Sequence, residues 1–501
     1  MKRREFLTYG AALGSVSFGL GACSAEEKNS SNESAIASDN ASYFKLDATT
    51  QGKMIASGEV SSAELIEAAI ERAQKANQSL NFLVTPTFEQ ARTRAANELP
   101  SGPFSGVPTL TKDLVATKGV RTAFGSRAFL EYIPQQNAPF ADVMEQAGLI
   151  SIGKSSTPEF GFLPVTEPLA FGPTRNPWNL DHTCGGSSGG AAASVAAGVV
   201  SMAQASDGGG SIRIPSNCCG LFGMKSSRGR WPDADGSAWE ISVRGYVSRS
   251  VRDGQLAMAS MAATKNNMPS PVLTSQQKGK KYRIGMRTQT PDGRDVHPDC
   301  KRAVLLAAKH CQALGHEVEE VSSHYSWSEF WEAFMTVWAF GAKAAIDGVG
   351  AQMGAKPPRE LFEPFSWWLY DLVAQKDASA LQASYQQFTT EREAARNFHK
   401  TYDFCLTPVL SEPAIKIGRI DQSGNIDDMR DWLEHYVGFT PWANATGHPA
   451  MSVPMLRTAQ NIPVGVQFEA NYGNEANLFE LARQLEQIAP WAQDWPKMAT
   501  T

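Results

Sequence analysis

The stretch CGGSSGGAAASVAAGVVSMAQASDGGGSIRIPSNCCG, residues 184–220, decides how this chain reads. It is rich in Gly and Ser, yet it is neither a linker nor low-complexity filler. Two serine clusters flank an Ala/Val run that reads as a small-residue helix, then a strand ending at Asp207. One question follows: which serine is chemically active, and what activates it when the nearest histidine in sequence is His182?

The first cluster offers a familiar answer. GGSSG, 185–189, satisfies the G-x-S-x-G elbow of α/β-hydrolases, which requires a hydrophobic strand directly before it. Here RNPWNLDHTC precedes it, a polar, turn-rich stretch, so the elbow fits poorly. The second cluster follows the strand-like VVSMAQA. Gly208, Gly209 and Gly210 let the backbone approach a ligand closely, and their N–H groups can converge on a developing oxyanion. Ser211 comes next, a nucleophile beside its own oxyanion donors. Asp207 and Arg213 flank the turn and are expected to pair across it. A surface ion pair, which would contribute little, is the alternative.

Lys112 is a candidate base. It sits in TLTKDLV, an apolar strand context unusual for lysine. Burial disfavours the ammonium form, and a neutral amine can activate a hydroxyl. A strand-edge lysine with its head in solvent is the other reading of this stretch.

Working outward, the order strand, helix, strand recurs. NFLVTPT, 102–115 and 149–153 supply strands, as do YRIGM, EVEEV, 402–409 and 449–470. Helical patterns start at Ser61 with a capping-box-like signature, span 298–315, and close near 474–487. Together they predict an α/β fold with helices on both faces of a sheet. Residues 325–400 look helical, with Trp327, Trp331, Phe334 and Trp338 on one face. That face suits either core packing or the wall of an apolar pocket.

The chain has 501 residues, 42% hydrophobic and 19% charged, with net charge −5. No basic stripe with interleaved aromatics is visible, which argues against a nucleic-acid partner. The cysteines at 184, 218, 311 and 405 read as small buried hydrophobes. No C-x-x-C pair occurs and the histidines are scattered, so no metal site is expected.

The N-terminus reads as a targeting segment. Arg3 and Arg4 precede a Gly/Ala run, as in twin-arginine export signals, and LGAC ends it like a lipoprotein cleavage box. Residues 1–22 would then be removed, and Cys23 would carry the lipid that anchors the chain to a membrane. A plain signal peptide with an incidental cysteine is the alternative. Residues 23–45 read as a disordered tether and 46–495 as a single catalytic domain. A periplasmic location on the outer membrane is the expectation.

GGSSGG followed by DGGGSIRIPS, at their spacing from TLTKDL, resembles the amidase signature family. CGLFGMKSSRGR, YDFCLTP and ATGHPAMSVPM…PVGVQFEA extend the resemblance over residues 46–490. It implies a large mixed central sheet between helices and hydrolysis of carboxylic amides without metal or cofactor. It further implies Ser211 as nucleophile, Ser187 after a cis peptide as proton bridge, Lys112 as base and Ser188 in support. Gly208–Gly210 align with the oxyanion hole, although the family usually carries a side chain where Gly208 stands. TEPLAFGPTRNPWN and TPDGRDVHPDCKRAV resemble the 6-aminohexanoate cyclic-dimer hydrolase branch, which suggests linear or cyclic aliphatic amides; aryl and peptide amides are taken by neighbouring branches. An amidotransferase-type subunit and an exported ligand-binding lipoprotein are the rival readings. Oligomeric state stays open, a homodimer being one option.

Overall fold

In the computed structural model, the helix at Ser62–Leu80 starts where the sequence asks. Ser61 Oγ accepts the Glu64 N–H while Glu64 reaches back to the Ser61 N–H. The structure describes residues 43–231, 241–262, 268–273 and 279–499. The signal-segment, Cys23 and most of the tether readings lie outside these residues. Tyr43–Thr501 forms one unit. It starts earlier than residue 46, because the Phe44 ring already packs edge-on against Trp495 at 4.9 Å.

Strands β1 (Leu83–Pro86), β2 (Pro108–Lys112) and β3 (Ile150–Ser155) make a small sheet in the order β1-β3-β2. β4 (Arg175–Asn176) and β5 (Asn179–Thr183) form a hairpin. The large sheet uses β6 (Met202–Asp207), β7 (Phe222–Lys225), β8 (Val243–Ser248), β9 (Arg283–Met286), β10 (Glu317–Glu320), β11 (Phe404–Pro408), β12 (Ala450–Arg457) and β13 (Pro463–Ala470). Its order is β10-β9-β11-β13-β12-β7-β8-β6. The β10-β9-β11 edge is parallel and the other pairings are antiparallel, so the sheet is mixed.

The two sheets abut where β2 runs beside β6. No backbone ladder joins them there. Instead the Lys112 N–H donates to Gln204 Oε1 at 2.9 Å, and Thr109 Oγ1 donates to the Met202 carbonyl at 2.9 Å. This seam places Lys112 next to the end of β6, where the second serine cluster begins.

The helix at Gly189–Ala196 has every residue buried. Its all-small composition explains this: a helix with no polar face belongs inside, and small side chains let neighbours close on it. Gly190 shows how close they come. A Cβ there would lie 2.4 Å from the Ser156 nitrogen.

Helices Val251–Met261, Pro298–Ala313 and Glu475–Ile488 contribute to one apolar core with Val453, Val466 and Phe468 of the sheet. Helices Ser62–Leu80 and Gly189–Ala196 share another with Ile150 and Ile152. Helices Trp327–Met353, Pro364–Leu372 and Ala378–Phe398 build an aromatic layer around Phe330, Trp331 and Trp442. Among the described residues, no helix is long and apolar enough to cross a membrane.

Candidate active site

Lys112 ends β2, a strand with every residue buried, and its own side chain is fully enclosed. Its Nζ lies 2.7 Å from Ser187 Oγ, 2.9 Å from Ser188 Oγ and 3.1 Å from Ser206 Oγ. Burial pushes this amine well below the ordinary lysine range; the Arg244 charge adds to the effect and Asp207 opposes it. Burial therefore favours the neutral amine. A neutral amine has two N–H bonds and one lone pair, so one of the three serines must donate to it. Ser188 spends its proton on the Ser206 carbonyl at 3.1 Å. Ser187 and Ser206 have no other acceptor among the described residues, and Ser187 makes the shortest of the three contacts, at 2.7 Å, and lines the cleft beside Ser211.

Two other lysines are buried among the described residues, and neither meets a serine hydroxyl. Lys154 Nζ donates to the Val115 carbonyl and to Thr117 Oγ1. Lys225 Nζ donates to the Ser226 and His448 carbonyls, both at 2.7 Å. Burial and the nearby Arg213 push Lys225 down to about 7. His182 sits on β5, bridged to Lys416 by its backbone, and has no part in this cluster. The cysteines at 184, 218, 219, 300, 311 and 405 are free and buried, and burial raises their thiols.

Ser187 follows a cis peptide bond from Gly186 and precedes the small-residue helix. Ser211 lies in the turn after β6, 7% exposed. Asp207 organises that turn. Its carboxylate accepts from the Gly210 N–H at 2.7 Å and the Ile212 N–H at 3.1 Å. It also pairs with Arg213 at 2.9 Å, both side chains being fully enclosed, so the expected pair exists and is not a surface one. Burial alone would raise Asp207, but Arg213 outweighs it and holds the carboxyl well below the usual range.

This arrangement corrects the expected oxyanion hole at one position. The Gly210 N–H is spent on Asp207, so it is not a free donor. The N–H groups of Gly208, Gly209 and Ser211 have no acceptor among the described residues. Gly210 instead serves shape: its φ is +131°, and a Cβ there would sit 2.3 Å from Thr440 Oγ1.

Several supporting residues escaped the sequence reading. Arg213 also donates to Gln467 Oε1 at 2.6 Å, to Asn444 Oδ1 at 2.6 Å and to the Thr440 carbonyl at 2.9 Å. Asn444 Nδ2 donates back to the Asp207 carboxylate at 2.9 Å, and Thr440 Oγ1 donates to the Gly209 carbonyl at 2.6 Å. Ser206, also unread, is a third hydroxyl on Lys112.

Both serines open on a cleft with two arms. The wider arm, about 470 Å³, is lined by Ser187, Ser206, Gly208 and Ser211, with Leu381 and Tyr385 opposite. The other is a narrow slot of about 60 Å³, lined by Gly209, Ser211 and Ile214 and walled by Trp331, Phe334, Trp338 and Phe365. Trp327, Trp331, Phe334 and Trp338 stack in sequence at 5.3, 5.9 and 5.4 Å. The aromatic face of this helix is thus both core and pocket wall.

Comparison with known proteins agrees with this architecture. The family model described as Amidase matches residues 64–479. The chain is similar to a Mycobacterium leprae (strain TN) protein named AmiC, 36% identical, covering 89% of this chain and 96% of that one. It is similar to the 6-aminohexanoate-cyclic-dimer hydrolase of Pseudomonas sp. (strain NK87), 32% identical over 90% of this chain and 96% of the relative. A solved 6-aminohexanoate cyclic dimer hydrolase complexed with substrate superposes with a TM-score of 0.84 at 30% identity, covering 91% of this chain and 99% of that one. The chain belongs to the amidase signature family and is an amidase.

Proposed function

We propose that this amidase hydrolyses carboxylic amides through an acyl-enzyme on Ser211, with Ser187 as proton bridge and Lys112 as base. The observation that carries this reading is the contact between Lys112 Nζ and Ser187 Oγ, 2.7 Å long and wholly buried, beside a cleft that Ser187 and Ser211 share.

Ser211 Oγ attacks the amide carbon. Its proton passes to Ser187, whose own proton moves to neutral Lys112. The oxyanion is held by the N–H groups of Gly208, Gly209 and Ser211; losing one such donor costs about 2.7–4 kcal/mol in the transition state. As the C–N bond breaks, the protonated lysine returns its proton through Ser187 to the leaving nitrogen. Water then attacks the ester, gives a proton to the same relay, and releases the acid and free Ser211. Ser188 holds one side of Nζ, and Asp207 with Arg213 fixes the turn.

The apolar slot and the cyclic-dimer hydrolase relatives favour aliphatic amides, linear or cyclic. Hydrolysis of a small amide panel tests the scheme. Lys112→Ala and Ser211→Ala should each abolish turnover while remaining folded. Wild-type-like turnover in either would overturn it.

We also propose that the enzyme is exported and held in the periplasm by a lipid on Cys23. The support is the order of twin arginines, Gly/Ala run and LGAC box in residues 2–23. Cell fractionation of wild type and Cys23→Ser decides it: release of the variant from membranes is expected, and unchanged partitioning would contradict it.

A further inference from the structure

We infer that the narrow slot takes the acyl part of the substrate and that Arg430 selects acyl chains ending in a carboxylate. The inference rests on the Ser187 relay proposed above.

The two arms of the cleft are not equivalent. Ser187, the group that must hand a proton to the leaving nitrogen, lines the wide arm and not the slot. The amine therefore departs through the wide arm. The acyl carbon stays on Ser211, which lines both, and the acyl chain runs into the slot past Ile214.

The slot suits a slim apolar chain, with one exception. Arg430, on the helix Ile426–Tyr436, is the only charged residue among the described residues that line it. Three carboxylates of the same helix accept from other donors. Asp427 accepts from the Trp368 indole at 2.9 Å, Glu434 from the Trp327 indole at 2.6 Å, and Asp431 from Arg294 at 3.0 Å. Arg430 acts on Glu434 through space, and no ion pair or hydrogen bond of its own is found among the described residues. Arg430 is exposed and lines the slot, so its guanidinium is open to solvent as well as to the slot; it matches a carboxylate at the far end of an aliphatic chain. The substrate class is then the monoamide of an aliphatic dicarboxylic acid.

The test uses mono-para-nitroanilides of aliphatic dicarboxylic acids, from succinyl to sebacyl, each beside the methyl-terminated anilide of equal length. Wild type should favour the carboxylate member by about tenfold in kcat/KM at the best length, as one charge-assisted contact supplies. Arg430→Gln should bring that ratio near one. Arg430→Lys should keep part of it, since a point charge lacks the planar fork. Binding to the Ser211→Ala variant, measured by calorimetry, separates this proposal from the relay. Preference for the carboxylate ligand that Arg430→Gln removes supports the slot assignment even where turnover fails. Equal binding of both ligands, or a ratio that Arg430→Gln leaves intact, would overturn it.

Discussion

The Asp207 carboxylate grips the Arg213 guanidinium through bonds of 2.9 and 3.0 Å, and neither side chain reaches solvent. The pair spans the turn that presents Ser211. Removing one partner would leave the other charge buried without compensation, at a cost of about 3–5 kcal/mol. Arg213→Ala should lose about that much stability in urea unfolding and should lose activity with it. Unchanged unfolding would show that the brace is dispensable.

Lys112 should oppose the fold it serves. Its amine is neutral when folded and protonated when unfolded over the range between its depressed value and the ordinary 10.5. There the unfolded chain binds more protons, so the penalty grows as pH falls and stability rises with pH. Lys112→Met should therefore be at least as stable as wild type at neutral pH, yet inactive. The same titration sets the rate: kcat/KM should fall on the acid side as Lys112 gains its proton and level off once the amine is neutral. An acid limb that persists in a partly active Lys112 variant would assign it to another group.

Glu159 carries the opposite sign. Burial first, and then the Glu363 charge, raise its carboxyl to about 7. It accepts from Ser126 Oγ and the Glu363 N–H, both at 2.7 Å, and from Ser366 Oγ at 2.5 Å, tying the loop at the cleft floor to the helix Pro364–Leu372. A raised acid binds its proton more tightly in the folded state. The stability it contributes is present below the unfolded value of 4.5 and is lost as pH rises toward about 7. Thermal melts of wild type and Glu159→Gln should therefore converge at low pH and diverge toward neutrality, with the glutamine variant the more stable. Parallel curves would contradict this.

Gly210→Ala should damage both activity and folding. The residue needs a φ of +131°, and its new Cβ would strike Thr440 Oγ1. Strain of this kind costs on the order of 1–3 kcal/mol. Gly208→Ala is milder: its Cβ would meet the Trp338 ring at 3.1 Å, so the cleft must give slightly. A raised KM in a folded enzyme is expected there. Equal behaviour of the two variants in melting and kinetics would refute the distinction.

The sequence was legible where partners are close along the chain or share a period. Asp207, Ser211 and Arg213 fall within one turn, and the aromatic face recurs at helical spacing. Asn444 and Gln467 were not legible, because each reaches Arg213 across more than two hundred residues. Nothing local in PWANATGHP or PVGVQFEA marks those amides as ligands of a guanidinium. Strands β7 and β8 were missed too. They are short, buried central strands without the alternation that betrays a half-exposed strand. The loss of the Gly210 donor depends on which way one N–H points, which a run of three glycines does not encode.

The central claim is that Ser211 attacks and Lys112 activates it. Intact-mass analysis and peptide mapping after treatment with a fluorophosphonate probe test it most directly, on wild type, Lys112→Ala and Ser211→Ala in parallel. A single adduct on Ser211, slowed without Lys112 and absent from Ser211→Ala, is the predicted result. An adduct on Ser187, or one on Ser211 that forms equally fast without Lys112, would contradict it.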